Sequence, residues 1–407
     1  MILTLLAKRK FSMKIVMAHF RDISGVSGGL ERVLCNFSNE MSKRGHDVHI
    51  LTYDTSETGI PYFPLEKNVK VHNLRRKGKE PIKVPFFKKI SREWARSKGE
   101  PSLAAWYEAY RDPYILPDAR KFFDEIHPDV IIVYFYTTSG FVKETHGNIP
   151  VITMFHNIPD FLFPKMSTRE FQGISESNVI QCLTPNFVPM IRKRIPDGNI
   201  VCIPNSVPQS DRTANLAVEK EIYKILYVAR LNKDVKRQHL LIDAFAKIAK
   251  DFPNWQLFFW GDGREDYKDL LNKKVKDFGL EDRIHLCGIT HDVTKEYLDS
   301  DLIAFPSHHE GFALSMAEGM SCGLPVVAYR SCSAVNEIVE NGKDGLLVDD
   351  GIDPLAEGMA KLMDNRELRI SMGKAAHEAT KVYSPEKVWD TWETLLTNTI
   401  KQTRSEA

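Results

Sequence analysis

Residues 302–327 read LIAFPSHHEGFALSMAEGMSCGLPVV, and the order of properties along that run decides the fold. Leu302–Phe305 is a short apolar run of the kind that fills a strand buried on both faces. A polar loop leads to Gly311, a helical stretch follows, Gly323 stops it, and Pro325–Tyr329 is apolar again. Strand, loop, helix, glycine stop and strand make one β-α-β crossover, the unit from which parallel sheets are built. Two carboxylates lie in it, Glu310 in the loop and Glu318 on the helix. At about 1.5 Å of rise per residue, Glu318 sits roughly 7 Å along the axis from a helix start near Ala313. Carboxylates accept hydrogen bonds from hydroxyls, and free N–H groups at Phe312–Ser315 receive an anion. The spacing suits two hydroxyl-bearing rings with phosphate between them.

The same rhythm runs in both directions. Upstream in the same half, Lys224–Ala229, Trp255–Trp260 and Ile284–Cys287 read as strands, and Gln238–Lys250 reads as a helix with Leu240, Leu241, Ala244, Phe245 and Ile248 on one face. Downstream, Pro354–Met363, Glu367–Thr380 and Pro385–Ile400 read as helices. In the first half Lys14–Phe20, Asp47–Tyr53, Asp129–Tyr134, Val151–His156, Val179–Leu183 and Ile200–Ile203 read as strands, with a helix over Gly29–Arg44. The polar stretch Gln209–Lys220 has the composition of a linker. Two consecutive arrays imply an α/β protein of two doubly wound domains facing a cleft, with chemistry just after each strand.

Composition narrows the function. The 407 residues carry 55 Lys and Arg against 54 Asp and Glu, a net +1 that argues against a dedicated nucleic-acid binder. No run reaches the roughly 18 apolar residues needed to span a bilayer. The six cysteines are scattered with no C-x-x-C pair, so they read as small buried hydrophobes in a reducing compartment rather than as a disulfide or zinc framework. Residues 1–12 place their charges after the apolar stretch, the wrong order for a signal peptide, and read as an N-terminal extension. The cytoplasm is the expected address.

Further candidates follow the strands. Arg230 ends one strand and Lys236 precedes the next helix, so two cations meet a helix mouth where a diphosphate would be neutralised as a leaving group. Gly261-Asp262-Gly263 permits a tight turn with backbone close to a ligand. In the first half, Gly28 and Gly29 open a helix and let N–H groups approach phosphate. A third glycine and a ribose-binding acid are missing, which weakens a dinucleotide reading. His156 ends a strand. No metal-ligand pattern is present, and none is expected.

With these residues in view, Glu310, seven intervening residues, Glu318 and then Gly323-Leu324-Pro325-Val326-Val327 resemble the donor-site signature of retaining glycosyltransferases of the GT-B fold, family 4. The resemblance runs from Met13 through most of the chain. It implies that Arg230 and Lys236 contact the donor diphosphate, Glu310 the sugar hydroxyls and Glu318 the ribose. It further implies that Gly261, Gly263, Gly288, Ile289, Gly311, Phe312, Ala313 and Leu314 surround the nucleotide-sugar, that Gly28 and Gly29 border its phosphates, and that His156 contacts the transferred sugar. The family's glycine after the lysine is Arg237 here. The resemblance divides the chain into an acceptor domain over 13–205, a nucleotide domain over 206–383 and a returning helix over 384–407. Its implied reaction moves a hexose, from UDP above all, to a glycan or lipid-linked acceptor in surface polysaccharide or lipopolysaccharide biosynthesis, without a metal or other cofactor. A non-catalytic nucleotide-sugar-binding subunit and a nucleotide-sugar epimerase are the other readings.

One segment departs from the rhythm. Ten basic residues and two acidic ones (Glu80, Glu93) fall between Arg75 and Lys98, with Phe86, Phe87 and Trp94 interleaved. The stretch 74–127 therefore reads as a variable basic insertion. It is either solvated surface or a patch for anionic lipid or an anionic acceptor, where each basic residue is worth about 1 kcal/mol.

Overall fold

The computed structural model describes residues 12–26, 28–54, 61–75, 85–145 and 147–406. Two compact units emerge, one made of residues 1–203 and 389–407, the other of residues 204–388.

In the first unit seven strands form one parallel sheet: β1 (Lys14–His19), β2 (Asp47–Thr52), β3 (Lys70–Asn73), β4 (Val130–Val133), β5 (Val151–Phe155), β6 (Val179–Cys182) and β7 (Ile200–Cys202). Their spatial order is β3-β2-β1-β4-β5-β6-β7. In the second unit β8 (Tyr223–Val228), β9 (Trp255–Trp260), β10 (Ile284–Gly288), β11 (Leu302–Phe305), β12 (Val326–Tyr329) and β13 (Gly345–Val348) form a six-stranded parallel sheet in the order β10-β9-β8-β11-β12-β13. Counted from its own first strand, each unit follows the dinucleotide-fold pattern, in which the order reverses between the first and fourth strands. The reversal points are β1/β4 and β8/β11. Connecting loops leave a crevice there at the carboxyl ends, and that is where ligands bind in open α/β sheets.

The central strands are continuous apolar runs because helices cover both faces; β4, β5, β11 and β12 are buried at every position. Trp255 is buried against Tyr223, with ring centroids 5.0 Å apart, and the Arg369 guanidinium lies 5.0 Å from the Trp255 ring. Burying one such aromatic contributes about 1.5–3 kcal/mol.

The polar stretch Gln209–Lys220 is not a linker. The chain passes between units at Ile203/Pro204, and Ala214 and Leu216 are buried within the second unit, where the Ala214 N–H donates to the Cys322 carbonyl. Thr213 crowds Gly323 so closely that a Cβ there would lie 2.9 Å from the Thr213 Cβ.

The stretch 74–127 also divides differently from the expected insertion. Residues 76–84, which carry part of its charge, lie outside the described residues, as do residues 1–11 of the expected N-terminal extension. Phe86–Ser97 is a helix and Glu100–Ile126 is another of 27 residues. The second is integral to the unit: its Ile115, Ala119, Phe122 and Phe123 join Val16, Ala18, Ile131 and Val133 of β1 and β4 in one core cluster. The C-terminal helix spans Pro385–Glu406. From Trp389 onward it belongs to the first unit, where Trp389 and Trp392 pack on Phe37 and Arg44 bridges Glu393 at 2.8 Å. Four of the six cysteines are buried and all six are free thiols.

Candidate active site

In the second unit the loops after β8 and β11 meet. Asn232 opens the first as an Asx turn, its side-chain oxygen accepting from the N–H groups of Asp234 and Val235. The Asn232 carbonyl then accepts from Lys236 and Arg237. The loops are joined directly where the His308 N–H donates to the Val235 carbonyl at 2.8 Å. Below them, the buried Tyr227 hydroxyl donates to the Lys236 carbonyl at 2.9 Å and pairs with the Ser307 hydroxyl at 2.8 Å. Ser315 clamps its helix to β8 by donating to the Val228 carbonyl at 2.7 Å. This bracing brings the Lys236 ammonium onto the Glu310 carboxylate, both side chains being largely shielded.

Two helices start at this meeting point, Gln238–Ile248 after β8 and Leu314–Ser321 after β11. Neither has a side-chain cap, and each is preceded by a non-glycine residue in the left-handed region: Arg237 at φ 54° and Ala313 at φ 52°. Left-handed backbone costs a residue bearing a Cβ about 1–2 kcal/mol, and such strain gathers at functional sites. The conformation accounts for the family's glycine at the position of Arg237. The position keeps a glycine's conformation although a side chain occupies it, and that side chain reaches Asp350 at 3.2 Å.

The other candidates of this unit lie on its strand ends, loops and helices. Arg230 is exposed at the end of β8, and its carbonyl accepts from Gln238 at 3.1 Å. Glu318 is buried on the Leu314–Ser321 helix. Gly311 and Leu314 are half-buried, and Phe312 is buried with its ring 5.3 Å from Tyr383. Gly288 lies at φ 74° with open space where a Cβ would project, and the neighbouring Ile289 is exposed. Gly261 and Gly263 have a packing need for glycine beside the ligand approach that their motif implies. A Cβ on Gly261 would lie 2.0 Å from the Ala229 carbonyl oxygen, and one on Gly263 would lie 2.5 Å from that of Leu231. Their glycines let the β9 loop press against the β8 loop and hold it.

In the first unit the reversal point carries a different set. His19 ends β1, Tyr134 follows β4 and His156 follows β5. Tyr134 lies between the imidazoles, 5.5 Å from the His19 ring and 4.2 Å from that of His156. Burial pushes both histidines down to about 3, so both rings are neutral. Neither ring nitrogen of His19 has a hydrogen-bond partner among the described residues, nor has His156 Nε2. The Tyr134 hydroxyl donates to the Leu30 carbonyl at 2.7 Å and so ties the row to the helix Gly29–Lys43. A Cβ on Gly28 would lie 2.3 Å from Glu31 Oε2, whereas Gly29 faces open space. The buried Glu31 carboxylate thus sits by this helix start, where the sequence suggests phosphate.

Sequence reasoning missed His19, Tyr227 and Ser307. A histidine or tyrosine inside an apolar strand run is a faint signal, and the serine two residues past β11 has none at all. Among the described residues, no group of three or more His, Cys, Asp and Glu is arranged to hold a metal ion, and no helix is long and apolar enough to cross a membrane.

Comparison with known proteins adds to this geometry. Residues 209–379 match the family described as glycosyl transferases group 1, and residues 27–210 match glycosyltransferase family 4. The chain is 26% identical to an exopolysaccharide phosphotransferase of Streptomyces coelicolor over 92% of its own length but only 40% of that protein's length. It is 25% identical to an uncharacterized glycosyltransferase of Haemophilus influenzae, covering 91% of this chain and 97% of that one. Among solved structures, TarM of S. aureus in complex with fondaparinux, α-GlcNAc-glycerol and UDP superposes with a TM-score of 0.73 at 17% identity, over 94% of this chain and all of that one. Anabaena HepE with UDP and glucose gives 0.67 at 18% identity, over 97% of this chain and all of that one.

Proposed function

The chain belongs to the group 1, family 4 glycosyltransferases of GT-B fold, and from that premise we propose that it transfers a hexose from a UDP-sugar to a glycan or lipid-linked acceptor in surface polysaccharide assembly, with retention of configuration. The observation that carries this reading is the Lys236–Glu310 pair held between two uncapped helix starts. An anion and a cation in contact are the two charges a donor would separate: the diphosphate takes the ammonium and the sugar hydroxyls take the carboxylate. Arg230 supplies the second cation. Glu318 binds the ribose, and the family resemblance assigns a sugar contact to His156, whose ring is neutral.

In the reaction the bond from the anomeric carbon to the diphosphate oxygen breaks with its electron pair leaving on the diphosphate. Positive charge from Lys236 and Arg230, with the helix N–H groups, stabilises that leaving group. The acceptor hydroxyl bonds to the carbon on the face just vacated and gives its proton to the departing phosphate oxygen. This assignment needs no divalent ion, so turnover persists in excess chelator. UDP is favoured because two solved relatives in fold were crystallised with it, and glycan acceptors because the Streptomyces relative bears an exopolysaccharide name. We further propose that the acceptor is membrane-borne and that the cytoplasmic enzyme works peripherally on an anionic membrane face, a reading supported by the basic charge of the segment Arg75–Lys98.

The test is direct. Glu310→Gln keeps the shape and removes the charge; it should abolish transfer while UDP titration calorimetry still shows binding. The anomeric coupling of the product, read by NMR with wild-type enzyme, should match that of the donor. Undiminished turnover by the variant removes the site assignment.

A further inference from the structure

The helix Phe86–Ser97 buries one side and leaves another apolar. Ala95 is buried, and Ser91 accepts a hydrogen bond from Trp106 Nε1 at 3.0 Å, so this side rests on the helix Glu100–Ile126. At about 3.6 residues per turn, Phe86, Ile90, Trp94 and Phe87 share roughly 100° of arc on a neighbouring side. They are 71%, 55%, 62% and 82% exposed. Single exposed apolar residues are ordinary, but four large ones on one arc mark an interaction surface. Lys88, Arg92 and Arg96 fill the arc beyond Ala95, and Lys98 Nζ lies 3.6 Å from the Trp94 ring.

We infer that this helix is an interfacial anchor: its Phe86, Phe87, Ile90 and Trp94 enter the headgroup–acyl boundary of an anionic phospholipid bilayer while the flanking Lys and Arg side chains meet the headgroups. The inference rests on the reading that the acceptor is membrane-borne, and names the element that meets that membrane. Charge complementarity selects the occupant. A second copy of this chain would bring the same positive arc against its own, whereas an anionic leaflet takes both the apolar ridge and the cations beside it. Trp94, with an apolar body and a polar tip, suits the boundary layer, and Lys98 can cover its ring while its ammonium reaches outward. The claim differs from a purely ionic patch. Apolar insertion supplies the salt-resistant part of binding, and the basic residues choose the lipid.

The full chain is mixed with vesicles of phosphatidylcholine alone or with added phosphatidylglycerol, and partition is measured by co-sedimentation at low and high salt. Wild type should favour the phosphatidylglycerol vesicles and retain part of its binding at high salt. The triple variant Phe86→Ser, Phe87→Ser, Trp94→Ser should lose about tenfold or more of the partition at both salts, with UDP affinity unchanged by calorimetry. Lys88→Glu with Arg92→Glu should abolish the lipid preference. Equal partition of wild type and the triple variant overturns the inference. So does a wild type that ignores both vesicles, or a triple variant whose only change in analytical ultracentrifugation is the loss of self-association. Absence of UDP binding by wild type would instead remove the transferase reading and leave the vesicle result standing.

Discussion

The two units repeat one strand order and fill its reversal point with opposite chemistry. At β8/β11 the strand ends deliver an ammonium and a carboxylate to two helix starts that no side chain caps. At β1/β4 and the adjoining end of β5 they deliver two neutral imidazoles and a phenol, and a carboxylate of the chain lies near the helix start. Topology therefore sets where a ligand binds, and the few residues past each strand set which ligand it is. On the proposed reading, the charge pair of the second unit is what takes the diphosphate. The first unit presents polar but uncharged rings.

The comparison breaks first at Glu310. If the second unit holds the reacting groups, Glu310→Gln should lower kcat by about a hundredfold or more, as the loss of a single electrostatic partner does elsewhere; steady-state kinetics with donor and acceptor check it. The first unit should reveal itself through pH. His19 is fully buried and titrates at about 3, against 6.5 in the open chain. Its neutral form is the one the fold accepts, so its contribution is fully present above pH 6.5 and is lost as pH falls toward 3. The slope is up to about 1.4 kcal/mol per pH unit for one proton. Urea unfolding followed by hydrogen exchange in β1 at pH 7 and pH 5 should show it, and His19→Phe should lessen the slope while leaving the share of His156, which burial lowers equally. Glu170 has the opposite sign. Burial raises its carboxyl to about 7, so its stabilisation is complete below pH 4.5 and fades as pH rises through 7.

Smaller effects sharpen the second unit. Tyr227→Phe removes the hydroxyl beneath Lys236 and should cost about 1 kcal/mol in stability, with a further loss in kcat because the lysine loop loosens. Ala313→Gly should add about 0.5–1 kcal/mol by relieving left-handed strain, seen as a higher melting temperature. A drop instead would mean that Ala313 packing outweighs its backbone.

Much of this architecture was legible in the residues. Buried parallel strands announce themselves as apolar runs, and the β11 crossover was complete on the page, Glu310, Gly323 and all. What escaped notice follows from the same physics. β3, Lys-Val-His-Asn, is a sheet edge with one neighbour and partial exposure, so it carries no apolar run to detect. The stretch 209–220 looks like a linker because loops that pack through backbone hydrogen bonds need few apolar side chains. Within 74–127, a basic surface helix precedes a core helix whose apolar stripe is interrupted by Pro113 and Pro117. In the site, Glu310 and Lys236 stand out by their place after a strand and by the family resemblance, but their contact depends on loop bracing by Tyr227, Ser307 and Asn232, which no local pattern encodes. The glycines Gly261 and Gly263 were recognised by motif, while their contact with the β8 loop emerged only in three dimensions.

The chain leaves the first unit at Ile203 and re-enters it at Trp389, whose indole and that of Trp392 cover Phe37. On the ribosome the earlier-made unit is therefore the later to be finished. Its seam around Phe37 stays open while residues 204–388 are translated, a delay on the order of ten to forty seconds at about 5–20 residues per second.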